Sequence, residues 1–307
     1  KTNKVKIKTK KGEEIIECDV VLSAVGVSTN IEGIGLEEAG VNTVVLLGNS
    51  GGGSLMAAYQ SQAVEPNLTP EYGRTSVVPA ALEVPSADLY ISVAAHPGRP
   101  EVLTNWMDAS VKEESDPLSV VKDLDPFAKD RQIPFTENFI DKYREAQRGR
   151  NHRITEWARI EIDRLVAAGH YDRLFTTPRL WADLRMIDGS IDPSNRQFPA
   201  CYLGDPRRAN YGIYGVGTVS SLRTWLSMWS LSDSQCQAGP HLARISVPAL
   251  VIDADADTGV FPSDTRAIVD ALGSEDVTTR TIEGDHYLRE RDGARDEAAD
   301  VIVAWVT

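Results

Sequence analysis

The stretch Val44-Val45-Leu46-Leu47-Gly48-Asn49-Ser50-Gly51-Gly52-Gly53-Ser54 decides the fold. Its four apolar residues, 44–47, are typical of a buried strand, and the small residues after Ser50 are typical of a closely packed helix. Gly48 to Gly52 fits G-x-S-x-G, in which a serine occupies a sharp turn between a strand and a helix. Flanking glycines let such a turn pack closely because they carry no Cβ atom. The stretch therefore predicts strand, turn and helix, with Ser50 at the apex.

Four apolar segments of the chain are predicted as strands, and helical patterns follow them. The strands are predicted over 44–47, 87–95, 247–253 and 277–282, and the clearest later helices over 263–272 and 297–306. Strands that alternate with helices form a mostly parallel sheet with helices on both faces. The sequence therefore predicts an α/β fold.

Between the second and third of these strands lies an insertion, residues 108–239, that is too long for a loop. Ile154, Trp157 and Ile160 follow a helical spacing, so a helix is predicted over 139–168, with shorter helices near 181–184 and 222–229. The insertion is interpreted as a helical cap. The predicted divisions of the chain are 1–43, 44–107, 108–239 and 240–307.

Composition excludes several classes of function. The chain has 307 residues and a formal net charge of −13, which disfavours nucleic acid as a partner. Its three cysteines, Cys18, Cys201 and Cys236, are too widely spaced to indicate a disulfide framework or a zinc site. No apolar run is long enough to cross a membrane. We therefore expect a cytoplasmic protein that acts on a small molecule, with no metal, cofactor or membrane partner; the oligomeric state is left open.

Three polar sites follow three predicted strand ends, in the order Ser50, an aspartate among residues 253, 255 and 257, and His286. In parallel sheets the chemistry gathers where loops leave the carboxyl ends of the strands. A serine, then an acid, then a histidine is one of the known chain orders of a catalytic triad. Each site also has a non-catalytic interpretation. Ser50 would then lie in a glycine-rich turn that binds phosphate or caps a helix, the aspartates near Asp257 in an acidic surface loop, and His286 in an exposed loop. His96, also at a strand end, is a candidate to line a pocket.

Residues 44–307 resemble the C-terminal two-thirds of the α/β-hydrolase family, in particular its capped bacterial members. The resemblance is carried by LLGNSGGG at 46–53, PALVIDADADTGVFP at 248–262 and IEGDHY at 282–287. It implies Ser50 as nucleophile, His286 as base and Asp257, rather than Asp253 or Asp255, as the acid. It further implies an oxyanion donor at the Gly51 amide and an ester-like acyl substrate.

Residues 1–43 resemble a different family, the dihydrolipoamide dehydrogenases, near the end of their NAD-binding domain. The likeness lies in a hairpin over 4–8 and 13–17, then CDVVLSAVG at 18–26 and NIEGIGLEEAGV at 30–41. The sequence shows no counterpart of that family's flavin-binding glycines, redox cysteine pair or His/Glu pair. Flavin chemistry is therefore not predicted.

In α/β-hydrolases the strand-turn-helix that carries the serine is called the nucleophile elbow, and several strands come before it. Those strands, and the loop that supplies the second oxyanion amide, have no counterpart in residues 1–43. One hypothesis is that residues 19–25 form a strand parallel to 44–47, which would make Gly26, or Val27, the second donor. Two other functions stay open. They are a non-catalytic, hydrolase-like binding module and a chimeric chain derived from a flavoprotein.

Overall fold

The computed structural model describes residues 3–9, 12–18, 43–77 and 84–307. The strands are β1 Asn3–Thr9, β2 Gly12–Cys18, β3 Val45–Asn49, β4 Leu89–Val93, β5 Val111–Glu113, β6 Asp116–Val120, β7 Leu174–Thr176, β8 Val219–Ser221, β9 Ala249–Ala254 and β10 Val277–Ile282. The α-helices are α1 Gly51–Val64, α2 Arg99–Trp106, α3 Glu137–Ala167, α4 Leu184–Ile187, α5 Pro206–Asn210, α6 Leu222–Thr224, α7 Ala238–Leu242, α8 Pro262–Ala271 and α9 Ala294–Val306. A 3₁₀ turn covers Lys122–Leu124 and a π-helical turn covers Trp225–Trp229.

A four-stranded parallel sheet forms the centre of the fold, in the order β3-β4-β9-β10. The register places Leu47 beside Ile91 and Ile91 beside Leu250. The two central strands, β4 and β9, are buried over most of their length, as expected where helices cover both sides of a parallel sheet, whereas residues 279–281 of β10 are exposed. The predicted α/β fold class is confirmed.

Two hydrophobic clusters lie on opposite faces of this sheet. On one face, α1, α7 and α8 contribute Met56, Leu242 and Ile268 to a cluster with Leu46 and Val251 of the strands. On the other, Ala294 and Ala298 of α9 pack with residues of β3, β4, β9 and β10. All four strands are parallel, so their carboxyl ends meet at one edge.

The inserted segment, interpreted from the sequence as a helical cap, contains helices and two short pairs of strands. Its long helix α3 begins after Thr136, whose side chain accepts from the amide of Phe139, and ends within a residue of the predicted boundary. Two short antiparallel pairs, β5 with β6 and β7 with β8, were not predicted. Three or five residues give too little periodicity to identify a strand. The segment packs through a core that includes Ile154, Leu222 and Trp225.

At the N-terminal end, β1 and β2 form the predicted antiparallel hairpin, with Val5 opposite Ile16. The hypothetical strand over 19–25, and the donor proposed at Gly26 or Val27, lie outside the described residues and stay predictions. Within the described ranges, no helix is both long and apolar enough to span a bilayer.

Candidate active site

Ser50 occupies the turn between β3 and α1, and its backbone is strained. Its φ of 54° and ψ of −121° lie in a region that residues with a side chain rarely adopt. Its amide donates to the carbonyl oxygen of Val93 at the end of β4, 2.9 Å away, which fixes the turn to the sheet. The side chain of Ser50 is partly exposed. Gly51 is the first residue of α1, so its amide has no acceptor within the helix.

The glycines around Ser50 differ in what they accommodate. A Cβ atom on Gly48 would lie 2.2 Å from the carbonyl oxygen of Gly52, and one on Gly53 would lie 2.4 Å from Cβ of Ala95. A Cβ atom on Gly52 would meet nothing within 4 Å. The expectation that both glycines of G-x-S-x-G avoid Cβ clashes is therefore correct for Gly48 and wrong for Gly52. The second close approach is at Gly53, where the helix crosses the segment after β4.

His286 and Asp257 form a buried pair at the carboxyl ends of β10 and β9. Nδ1 of His286 lies 2.6 Å from Oδ2 of Asp257. The other carboxylate oxygen accepts from the amides of Gly259, at 2.8 Å, and Val260, at 3.0 Å. With Nδ1 carrying the proton that this pair shares, Nε2 is the basic nitrogen of the ring. The fixed carboxylate therefore determines both the tautomer and the orientation of the imidazole.

Asp255 connects the two loops that carry this pair. Its carboxylate accepts from the amide of Gly284, 2.9 Å away, in the loop that leads to His286. Its other oxygen accepts from Nδ2 of Asn195 in the inserted segment, at 2.7 Å. Asp255 therefore joins three segments: its own loop, the histidine loop and the inserted segment. Asp285 accepts from the amides of Arg289 and Glu290, so its carboxylate is occupied within its own loop.

Tyr202, from the inserted segment, completes the surroundings of His286. Its hydroxyl lies 3.0 Å from Nδ1 of His286, and the two rings are 4.5 Å apart. Burial raises the pKa of the Tyr202 phenol well above its usual value, and the charge of Asp257 and a hydrogen bond with it raise that pKa further. Tyr202 therefore stays protonated and acts as a hydrogen-bond donor to the acid. No feature of FPACYL, at 198–203, predicted this role, because the contact depends on how the insertion folds back.

An aromatic group lies beside Tyr202. Trp106 stacks on Trp181 with ring centroids 4.9 Å apart and meets the edge of Tyr202 at 5.7 Å. Trp225 and Trp229 are buried as well, whereas Trp157 is partly exposed. Of these five tryptophans, the pair of Trp106 and Trp181 is therefore placed to contribute an apolar wall next to the histidine.

His96 is buried close to the turn, as its position at a strand end suggested. Burial lowers its pKa to about 3, and electrostatic interactions with Arg99 and His286 add to this effect. Its Nδ1 accepts from the amide of Gly98 at 3.3 Å. His96 is therefore a neutral ring at neutral pH and holds the loop that follows β4.

The sheet places Ser50, Asp257 and His286 at the same edge. Among the hydrogen bonds recorded for residues 43–77 and 84–307, none joins Oγ of Ser50 to His286. Contacts between nucleophile and base are often long when no substrate is bound. The arrangement provides a serine on a helix N-terminus, a histidine with a defined tautomer and a buried carboxylate, which together suit acyl transfer.

Comparisons with known proteins return solved structures of low similarity. One is from work on LipS and LipT, two metagenome-derived lipolytic enzymes, with 11% identity over 88% of this chain and 67% of that one, at a TM-score of 0.38. Another is a monoacylglycerol lipase from Paleococcus ferrophilus, with 15% identity over 88% and 70%, at a TM-score of 0.38. A third is DcsB in complex with its substrate analogue, with 12% identity over 86% and 64%, at a TM-score of 0.39.

The chain thus spans about two-thirds of the length of these proteins, and likeness at this level transfers no activity to it. No family model and no curated protein matches the chain. The resemblance of residues 1–43 to dihydrolipoamide dehydrogenases gains no support from these comparisons.

Proposed function

We propose that the chain is a serine hydrolase of the α/β-hydrolase type that cleaves a carboxylic ester or a related acyl substrate. One observation carries this proposal: the strained Ser50 and the 2.6 Å pair of His286 and Asp257 occupy the same edge of one parallel sheet. A strained backbone at a non-glycine residue costs roughly 1–3 kcal/mol and persists where the surrounding structure enforces it, often at functional sites. Here the strain lifts a hydroxyl out of the sheet in front of a helix N-terminus.

The reaction follows from these groups. Nε2 of His286 takes the proton of the Ser50 hydroxyl while Oγ forms a bond to the acyl carbon, and the same proton then passes to the departing alcohol. Asp257 stabilises the imidazolium that exists between these transfers. Water, deprotonated by His286, cleaves the acyl-enzyme and frees the acid and Ser50.

The developing oxyanion needs donors at the turn. The Gly51 amide, at the positive end of the α1 dipole, is the proposed first donor. The second, predicted at Gly26, lies outside the described residues. Loss of one donor lowers kcat by about 10²- to 10³-fold, so we expect kcat to depend on whether a second donor is present.

A fluorophosphonate probe tests the proposal. We expect the probe to label Ser50, identified by peptide mass spectrometry, and we expect His286→Ala to reduce the labelling rate by at least about 10³-fold, because the base is lost. His152→Ala, which removes an exposed histidine of α3, is the matched control and should label like the wild type.

The competing hypothesis is a non-catalytic module with this fold. Within the described residues no hydrogen bond joins Ser50 to His286, an arrangement that such a module shares with a hydrolase that holds no substrate. A folded protein whose Ser50 resists the probe, or whose labelling is indifferent to His286→Ala, would support that module and reject the hydrolase.

A further inference from the structure

Arg99 lies against the turn that carries Ser50. It is the first residue of α2 and follows β4 by way of His96-Pro97-Gly98. A Cβ atom built on Gly51 would lie 2.7 Å from Nη2 and 3.0 Å from Cζ of Arg99. Ser50 precedes Gly51, with their Cα atoms about 3.8 Å apart, so Arg99 lies against the residue next to the proposed nucleophile. The amide of that residue, Gly51, is the proposed first oxyanion donor.

No carboxylate neutralises this guanidinium within the described residues. Its recorded neighbour is the ring of Trp229, whose centroid is 5.7 Å from Cζ. Three buried arginines each bond a carboxylate: Arg150 bonds Glu114, Arg179 bonds Asp108, and Arg185 bonds Asp183. Arg196, also buried, donates instead to the backbone carbonyl oxygens of Arg185, Ile191 and Asp192. Removing a cation from water is costly unless an anion compensates it. Arg99 differs from these four in that, within the described residues, its side chain bonds neither a carboxylate nor a backbone carbonyl oxygen, although it is partly buried beside the turn that carries Ser50.

The neighbouring titratable groups leave the charge of Arg99 in place. His96 is neutral near pH 7, because burial first, and then electrostatic interactions with Arg99 and His286, lower its pKa to about 3. Glu101, on the same helix, has an oxygen that is buried and lacks a hydrogen-bond partner within the described structure. Burial raises the pKa of Glu101 to about 7, so this carboxyl is partly protonated near neutral pH. The elbow therefore has a local positive charge within an acidic protein.

We propose that Arg99 makes this site specific for acyl substrates that carry a carboxylate a few bonds from the scissile carbonyl. The inference rests on the proposed function of Ser50. A guanidinium presents parallel N–H donors that match both oxygens of a carboxylate, whereas the oxyanion of a tetrahedral intermediate offers a single oxygen. The side chain of Arg99 therefore suits a ground-state anion on the substrate better than the transition-state oxyanion.

Two esters of the same acyl length distinguish binding of a substrate carboxylate from stabilisation of the oxyanion. They are the p-nitrophenyl monoester of glutaric acid, an anion, and p-nitrophenyl pentanoate, which is neutral. We expect the wild type to prefer the anionic ester, and Arg99→Gln to lower the ratio of the two kcat/KM values by roughly ten- to a hundredfold, as for a lost charge-assisted hydrogen bond. Arg99→Lys keeps the charge but loses the paired donors, so its ratio should be intermediate.

The matched control is Arg280→Gln, which makes the same change of charge on β10, separated from β3 by two strands. Its ratio should equal that of the wild type. An equal loss on both esters in Arg99→Gln would overturn the proposal and assign Arg99 to the oxyanion or to the structure of the turn.

A binding measurement separates this inference from the proposed function. If Ser50 resists the fluorophosphonate and neither ester is cleaved, the hydrolase proposal fails, and calorimetric titration of the Ser50→Ala protein with glutarate still tests Arg99. Binding of glutarate that Arg99→Gln weakens at least tenfold, with no binding of glutaramide, would support an anion site. Equal affinity with and without Arg99 would reject it.

Discussion

Ser50 keeps its strained backbone because the residues around it leave room for the turn. The carbonyl group of Gly52 lies so close to Gly48 that a Cβ atom on Gly48 would clash with it, and Cβ of Ala95 lies similarly close to Gly53. Tyr90 adds a bond from its hydroxyl to the carbonyl oxygen of Gly53, 2.9 Å away. Strain at one residue is thus held by close packing at its neighbours.

The two glycines of the motif provide a matched pair of substitutions. Gly48→Ala forces a methyl group against backbone, so we expect it to lower the free energy of unfolding by roughly 2–3 kcal/mol or more. Gly52→Ala places the same methyl in open space on a helix, so we expect stability to be unchanged or to rise by up to about 1 kcal/mol. Urea unfolding followed by circular dichroism measures both. Equal losses in the two proteins would contradict this account of the turn.

The inserted segment is joined to the sheet domain through elements that also position the loops of the site. Arg185 of α4 bonds Asp183 beside it and reaches Asp264 of α8, 3.1 Å away. Burial tends to raise the pKa of Asp183, but the charges of Arg144 and Arg185 outweigh it and hold that pKa well below its usual value. These charges are buried and mutually compensated. The connection fixes the segment from which Asn195 and Tyr202 reach the acid and histidine loops.

Arg185→Met should therefore weaken the whole interface. Removing Arg185 leaves the buried Asp264 without the arginine that bonds it and leaves Asp183 with Arg144, and breaking a buried pair in this way costs about 3–5 kcal/mol in comparable cases. Arg266→Met is the control, because Arg266 also bonds an acid of this segment, Asp192, but its side chain is 64% exposed. We expect Arg266→Met to lower the free energy of unfolding by less than about 1 kcal/mol. Chemical unfolding of both variants measures the contrast, and a similar small effect in each would show that the buried cluster does not anchor the segment.

At the scale of the whole molecule, two buried groups near the elbow make stability depend on pH in opposite directions. Burial raises the pKa of Glu101 from 4.5 to about 7, so its contribution to folding is present below pH 4.5 and lost as the pH rises toward 7. His96 has a pKa lowered from 6.5 to about 3, chiefly by burial, so its contribution is present above pH 6.5 and lost as the pH falls toward 3.

Glu101→Gln isolates one of these two effects. The amide stays neutral, so at pH 8 the variant should be more stable than the wild type by roughly 2–3 kcal/mol. At pH 4 the wild-type carboxyl is mostly protonated and the two proteins should differ little. Urea unfolding at both pH values gives the comparison, and the loss from His96 at low pH is common to both proteins. A stability difference that did not change with pH would rule out burial of an ionisable carboxyl at this position.

The sequence by itself determined the strand-turn-helix around Ser50, the parallel sheet and the spans of its main elements. Each of these depends on signals a few residues apart: the apolar run at 44–47, the glycines beside Ser50, and the helical periodicity of α3. The candidate acid and histidine could also be located, because IDADAD and IEGDHY each directly follow a strand signal. The catalytic roles of Ser50, Asp257 and His286 stay predictions.

Only the tertiary structure decided which side chains surround them. The strand order β3-β4-β9-β10 brings loops more than two hundred residues apart to one edge, and no local pattern encodes that order. Tyr202 reaches His286 because the insertion folds back on the sheet, and Arg99 reaches Gly51 because α2 begins beside the elbow. Local sequence sets which conformation each segment prefers. Packing of distant segments sets which groups share a site, and with them the charge that a substrate would meet.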